Sequence, residues 1–316
     1  MRRAVLSPIA VVLGASLVLA GCSGSGSEPD PTGAEPTAAA TASTLSGDVP
    51  AADLPTATGE FGDKPELTFP SDTHLAEGAV TVLAEGDGAV VEAGDLLLAD
   101  YLGQVWGGEV FDNSYDRGAP AAFAIGVGQV VSGWDEGLVG QKIGSRVLLS
   151  LPPALGYGAA GNPNAGIAGT DTIVFVVDIV DAFGGDASGQ ADAEPGEALP
   201  ADGPQVSGAL GEPATLTLPE GTEPPTETSL VYLGTGTGPE VADGDSIVTQ
   251  FVIASFDEQP VSSTWENGKP EQLQVFEGSP LAELVGVPVG SRVLLSVPAD
   301  DEFAAYVVVI DVLAVT

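Results

Sequence analysis

Bond-breaking chemistry has few carriers in this sequence. The chain holds one cysteine, Cys22, and one histidine, His74. That excludes a disulfide framework and a cysteine-rich zinc site, and leaves a histidine-based metal site or triad almost nothing to draw on. His74 stands just ahead of the first strand and reads as a surface residue. No nucleophile elbow, phosphate-binding loop or dinucleotide fingerprint occurs; Gly126-Val127-Gly128 lacks the third glycine and the following helix. The D-x-[DN]-x-[DN]-G pattern of a calcium loop is also absent. Carboxylates are plentiful, but none stands out by its context, so they read as solvated surface. What remains is a set of aromatic side chains attached to turn motifs. They are Tyr101-Leu102-Gly103, Phe111-Asp112-Asn113-Ser114, Phe123, Val130-Val131-Ser132-Gly133-Trp134, Tyr157-Gly158-Ala159-Ala160-Gly161 and Val174-Phe175-Val176. Taken singly, each reads as core packing.

The charge balance narrows the partners. The 316 residues carry 45 Asp+Glu against 8 Lys+Arg, a formal net charge of −37. Too few scattered cations remain to neutralise a phosphate backbone, so nucleic acid is excluded as a partner. Anionic lipid would be repelled, and any membrane association needs an anchor other than charge. Arg2 and Arg3 begin a targeting segment over 1–21, followed by a mostly apolar run from Ala4 to Ala20 and then Gly21-Cys22. This resembles a bacterial lipoprotein signal, which implies cleavage before Cys22, a lipid on that cysteine and a place on the outer face of the cell membrane.

Punctuation sets the elements that must position the aromatics. Residues 22–62 are rich in Ser, Gly, Pro, Thr, Ala and acids with no periodic apolar face, and read as a disordered acidic tether. A second such stretch, 184–208, reads as a linker. It leaves two folded units at 63–183 and 209–316. These are repeats: Ile143-Gly144-Ser145-Arg146-Val147-Leu148-Leu149-Ser150 returns as Val289-Gly290-Ser291-Arg292-Val293-Leu294-Leu295-Ser296. The second copy is shorter by about 13 residues between its middle and last strands. Short valine-rich runs bounded by Gly, Pro, Asp and Asn predict strands at 79–84, 95–103, 120–125, 145–151 and 172–181 in the first copy. One short helix is predicted at Gly133–Val139. Many strands around one small helix indicate an α+β fold with an antiparallel sheet.

Taken in order and spacing, the aromatic segments resemble the FKBP-type peptidyl-prolyl cis-trans isomerases over most of residues 79–181. The specific pieces are Phe111-Asp112 followed by Asp116-Arg117, the Val130-Val131 to Trp134 segment, and the Tyr157-to-Gly161 loop. The resemblance implies a half-wrapped five-stranded antiparallel sheet around a short helix, with a pocket between them. It also implies prolyl isomerase activity without metal or cofactor. The site would hold Tyr101, Phe111, Asp112 and Tyr157 as catalytic residues. Arg117, Phe123, Val130, Val131, Trp134, Ile167 and Phe175 would bind substrate, with Arg117 also supporting Asp112 and Tyr101 and Ile167 near an apolar loop tip. Ala121 departs from the family by standing where another pocket aromatic is usual, and Asn162-Pro163 replaces a common His-Pro pair in the loop after Gly161.

The second copy departs further. Phe251 matches Tyr101, but Val261-Ser262-Ser263 replaces the Phe-Asp turn, Pro280 falls where Trp134 was, Val308 replaces Phe175, and the Tyr-Gly loop is missing. It reads as a degenerate copy without activity. Two rivals stay open: a non-catalytic peptide-binding or chaperone-like surface lipoprotein, and a purely structural one. The expected partners are proline-containing polypeptides and, through Cys22, the membrane.

Overall fold

The computed structural model describes residues 45–46, 49–71, 73–257, 261–301 and 303–316. The signal segment 1–21, Cys22 and the tether as far as residue 44 lie outside the described residues. All described residues belong to one contact unit.

In the first half the strands are β1 (Leu45–Ser46), β2 (Thr56–Ala57), β3 (Leu67–Thr68), β4 (Gly78–Ala84), β5 (Leu96–Val105), β6 (Val110–Asn113), β7 (Ala121–Ala124), β8 (Arg146–Leu151) and β9 (Ile173–Phe183). One helix, α1 (Ser132–Leu138), lies between β7 and β8. The main sheet runs β1-β4-β8-β9-β5-β6, with β7 also pairing β5. All pairings are antiparallel except β1 on β4. β8 and most of β9 are buried on both faces, which is why they read as unbroken apolar runs. On one face they meet α1 and the aromatics. On the other, Trp106, Leu148, Val174 and Val176 are covered by Ala57, Leu67, Phe69 and Leu75, and Trp106 Nε1 donates to the Ser71 carbonyl.

Order begins well before residue 63, which corrects the expected extent of the tether. Leu45 packs into the concave core, and the β2–β3 hairpin closes over the convex face. That face holds a buried ion pair, Arg146 Nε to Asp178 Oδ1 at 2.6 Å. The hairpin satisfies it: Gly62 N donates to Asp178 Oδ2, and Arg146 donates to the carbonyls of Thr58 and Asp63. Tyr115 adds its hydroxyl to Asp178. A buried charge pair persists only when its remaining donors and acceptors are satisfied in this way.

The second half comprises β10 (Glu194–Pro195), β11 (Gln205–Ser207), β12 (Thr215–Thr217), β13 (Ser229–Thr235), β14 (Ser246–Ser255), β15 (Ser262–Ser263), β16 (Glu271–Gln274), β17 (Arg292–Val297) and β18 (Tyr306–Val315), with a one-turn helix α2 (Thr264–Asn267). Its sheet runs β10-β13-β17-β18-β14-β15, with β16 also pairing β14. Register shifts fall at Val82/Ala84 and Leu98/Ala99 in the first half, and at Tyr232/Gly234 and Val248/Thr249 in the second. Arg292 and Asp311 form a buried pair at 2.6 Å, met by the carbonyls of Gly208, Ala209 and Glu212 from the β11–β12 hairpin.

The stretch 184–208, expected as a linker, is bound along its length. Gly189 N donates to Asp311 Oδ2, Gln190 N donates to the Gly290 carbonyl, and β10 pairs with β13. Composition pointed to a linker because its bonds are made by the backbone rather than by apolar side chains. Leu98, Val248 and Leu313, packed with Leu96, Ala122 and Phe183, join the two halves.

Candidate active site

Two glycines set the helix that carries the pocket floor. A Cβ on Gly133 would come within 2.3 Å of Leu151, and one on Gly137 within 2.6 Å of Leu149. Their absence lets α1 lie directly on β8, at a cost of about 1 kcal/mol each in helix propensity relative to alanine. Asp135 fixes the preceding loop by accepting from Gly126 N at 2.6 Å and Gly128 N at 2.8 Å. The helix ends at Val139, which is extended.

This placement drives Trp134 into the middle of an aromatic cluster, with only 3% of its surface exposed. Its ring meets Phe123 at 4.9 Å, Phe175 at 5.2 Å and Tyr101 at 5.6 Å, all edge-to-face, the arrangement that ring quadrupoles favour. Phe111 stands edge-on to Phe175 at 5.6 Å. The Trp134 indole N–H meets no acceptor among the described residues. Above the cluster opens a cavity of about 600 Å³, lined also by Asp112, Val130, Val131 and Tyr157.

One wall is electrostatically locked. Tyr101 donates its hydroxyl to Asp112 Oδ2 at 2.5 Å, while Arg117 donates to Asp112 Oδ1 at 2.6 Å and to the Tyr101 oxygen at 2.8 Å. Burial, reinforced by the hydrogen bond to Asp112, pushes the Tyr101 hydroxyl up to about 12. For Asp112, burial works to raise the carboxyl, but hydrogen bonds from Tyr101 and Arg117 outweigh it and hold the group below its ordinary value. The wall is therefore an ionised carboxylate beside a protonated phenol at neutral pH. Tyr157 lines the same cavity, 36% exposed, between the single-turn helices Pro153–Leu155 and Gly158–Ala160. Its hydroxyl makes no hydrogen bond among the described residues, so it is the free phenol of the pocket.

Of the residues expected at the site, the structure brings Tyr101, Phe111, Asp112, Phe123, Val130, Val131, Trp134, Tyr157 and Phe175 to one cavity. Arg117 stands behind the wall rather than lining it. Ile167 is not at an apolar tip: it is 3% exposed and belongs to the core, where backbone bonds with Asn162 turn its loop inward. Gln129, Ser132 and Gly156 also line the cavity. Nothing in their types marked them, since a polar residue beside a glycine reads as a loop.

The stretch that builds this cavity is similar to known proteins. A family profile described as FKBP-type peptidyl-prolyl cis-trans isomerase matches residues 88–180. The FK506-binding protein of Streptomyces anulatus is 43% identical over 119 residues, covering 37% of this chain and 96% of that protein. FK506-binding protein 1 of Saccharomyces cerevisiae is 38% identical over 111 residues, covering 34% and 96%. Among solved structures, FkpA from Escherichia coli is 38% identical over 34% of this chain and 48% of that one, with a TM-score of 0.32. Through residues 88–180, and the pocket they build, the chain belongs to the FKBP-type peptidyl-prolyl cis-trans isomerase family.

Proposed function

We propose that the first half catalyses cis-trans isomerisation of X-Pro bonds in exported polypeptides. The observation that carries this is an apolar aromatic cavity floored by Trp134 and rimmed by the free Tyr157 phenol. Rotation about the amide faces a barrier of about 18–20 kcal/mol because resonance is lost in the twisted state. No bond to a partner forms or breaks, so neither nucleophile nor metal is needed. The proline ring seats on Trp134 between Phe123 and Phe175. Stripping water from the amide favours the less dipolar twisted form. Tyr157 donates to a substrate carbonyl, while the Tyr101–Asp112–Arg117 wall keeps its shape because its polar groups already bond one another.

The second half is read as a degenerate, inactive repeat. Supporting this are the common strand order, the register shifts at like positions and the paired Arg–Asp residues beneath each hairpin. Pro280 stands in a single-turn helix, Pro280–Leu284, at the position of Trp134. The lipoprotein reading rests on the sequence around Cys22. It predicts that Cys22→Ser releases the protein from the membrane fraction and abolishes incorporation of labelled fatty acid.

The decisive experiment follows cis-to-trans relaxation of a short X-Pro peptide with the full chain. Acceleration that disappears in the Tyr157→Phe/Trp134→Ala variant places the activity in the first half. No acceleration by the unaltered chain would sink the enzyme reading in favour of a binding module, and acceleration surviving in the variant would move it to the second half.

A further inference from the structure

In the first half the β2–β3 hairpin is pinned to the turn after β6 by an ion pair, Lys64 Nζ to Asp116 Oδ1 at 2.6 Å. Lys64 lies three residues before Leu67, and Leu67 opposes Ala57. Asp116 lies two residues after Ser114, whose hydroxyl receives the Tyr101 amide. The second half repeats these reference points with different ends. Leu216 opposes Val206, and Thr264 receives the Phe251 amide. The residue three before Leu216 is Pro213 and the residue two after Thr264 is Glu266. Proline cannot supply a cation, and no ion pair reaches Glu266 among the described residues.

A groove of about 550 Å³ runs between Pro213–Thr217 and the 261–266 segment. Leu216, Val252, Val261 and Trp265 give it an apolar floor, and Asp186 and Glu266 give it acids. Trp265 is half-buried and held by its Nε1, which donates to the Ala187 carbonyl at 2.8 Å, so it forms a fixed wall. β12 pairs only with β11 and β15 only with β14 among the described residues. Five consecutive residues around β12 line the groove, and β12 has a strand partner on one edge only among the described residues.

An unpaired strand edge beside an apolar floor selects an extended chain, because main-chain bonds supply affinity and alternate side chains enter the floor. The acids select the charge. We propose that this groove docks an extended polypeptide segment carrying a lysine or arginine, whose cation takes at Glu266 the place that Lys64 takes at Asp116. The inference stands apart from catalysis, since the groove shares no residue with the aromatic cavity.

The test measures anisotropy of a labelled, proline-free octapeptide of alternating valine and lysine with the full chain, alongside X-Pro isomerase activity. Pro213→Lys, which rebuilds the internal ion pair, and Glu266→Lys are each expected to weaken binding on the order of tenfold. Both should leave activity and the far-ultraviolet circular dichroism unchanged, and Glu266→Lys should bind the valine–glutamate peptide better than the unaltered chain does. Equal binding of the valine–lysine peptide by all three proteins, or none by the unaltered chain, would overturn the proposal. So would a dimer in sedimentation that Pro213→Lys dissolves, because the groove would then belong to a second copy of the chain. Loss of isomerase activity alone would bear on the catalytic reading and not on this one.

Discussion

The Gly62 amide donates to Asp178 Oδ2 at 2.7 Å, joining residues 116 positions apart. Gly62 lies outside the segment matched by the family profile, which begins at residue 88. A chain starting at residue 75 would therefore keep the aromatic cavity yet strip the buried pair of Gly62 N and of the Thr58 and Asp63 carbonyls. It is expected to be less stable than a chain starting at residue 45 by at least about 3 kcal/mol, because most of the apolar cover of Trp106, Leu148, Val174 and Val176 is lost together with these backbone partners. Urea unfolding of the two chains, both ending at residue 316, measures this.

Asp178→Ala leaves Arg146 buried without its counter-charge and is expected to cost about 3–5 kcal/mol. The double variant Arg146→Met/Asp178→Leu should cost less than Asp178→Ala alone, since it removes both charges. A double variant as unstable as the two single losses combined would show that the two charges do not interact.

Tyr157→Phe removes one donor and keeps the ring. A loss of about tenfold in kcat/KM with unchanged stability is expected for one hydrogen bond formed to substrate. Trp134→Ala should behave differently, losing activity and also about 3–5 kcal/mol of stability, because it empties the centre of the cluster. Chemical denaturation beside the peptide assay separates the two effects.

Activity should be flat from about pH 5 to about pH 9. Asp112 is held below its ordinary value, so its ion pair with Arg117 is complete above the unfolded aspartate value. That contribution is lost only as pH falls through the lower folded value. Tyr101 stays protonated until about 12. A bell-shaped profile centred near neutrality would contradict a mechanism without proton transfer.

Much of the first half was legible because apolar runs and turn residues carry it. The predicted strands at 145–151 and 172–181 lie close to Arg146–Leu151 and Ile173–Phe183, whose alternation is hidden by burial on both faces. The hairpins were not legible by that signal. Thr58-Gly59 to Gly62-Asp63 reads as tether because its work is done by carbonyls and amides. Yet Ser207-Gly208 to Gly211-Glu212 repeats the same spacing, and that repetition was the available clue. Ile167 misled for the opposite reason: an apolar residue in a glycine-rich loop looks exposed, whereas the loop folds inward on Asn162. The groove beside Trp265 is lined by two segments far apart in the chain, 213–217 and 261–266, so no local run of residues announced it.

The chain contains three tryptophans, and each stands in a different place. Trp106 is buried under the β2–β3 hairpin, Trp134 floors the cavity, and Trp265 is bonded to the segment joining the halves. Intrinsic fluorescence therefore carries three separate optical signals without any label. Quenching by an occupant of the cavity, a red shift on hairpin release and a change at the junction can each be resolved with variants that keep one indole at a time.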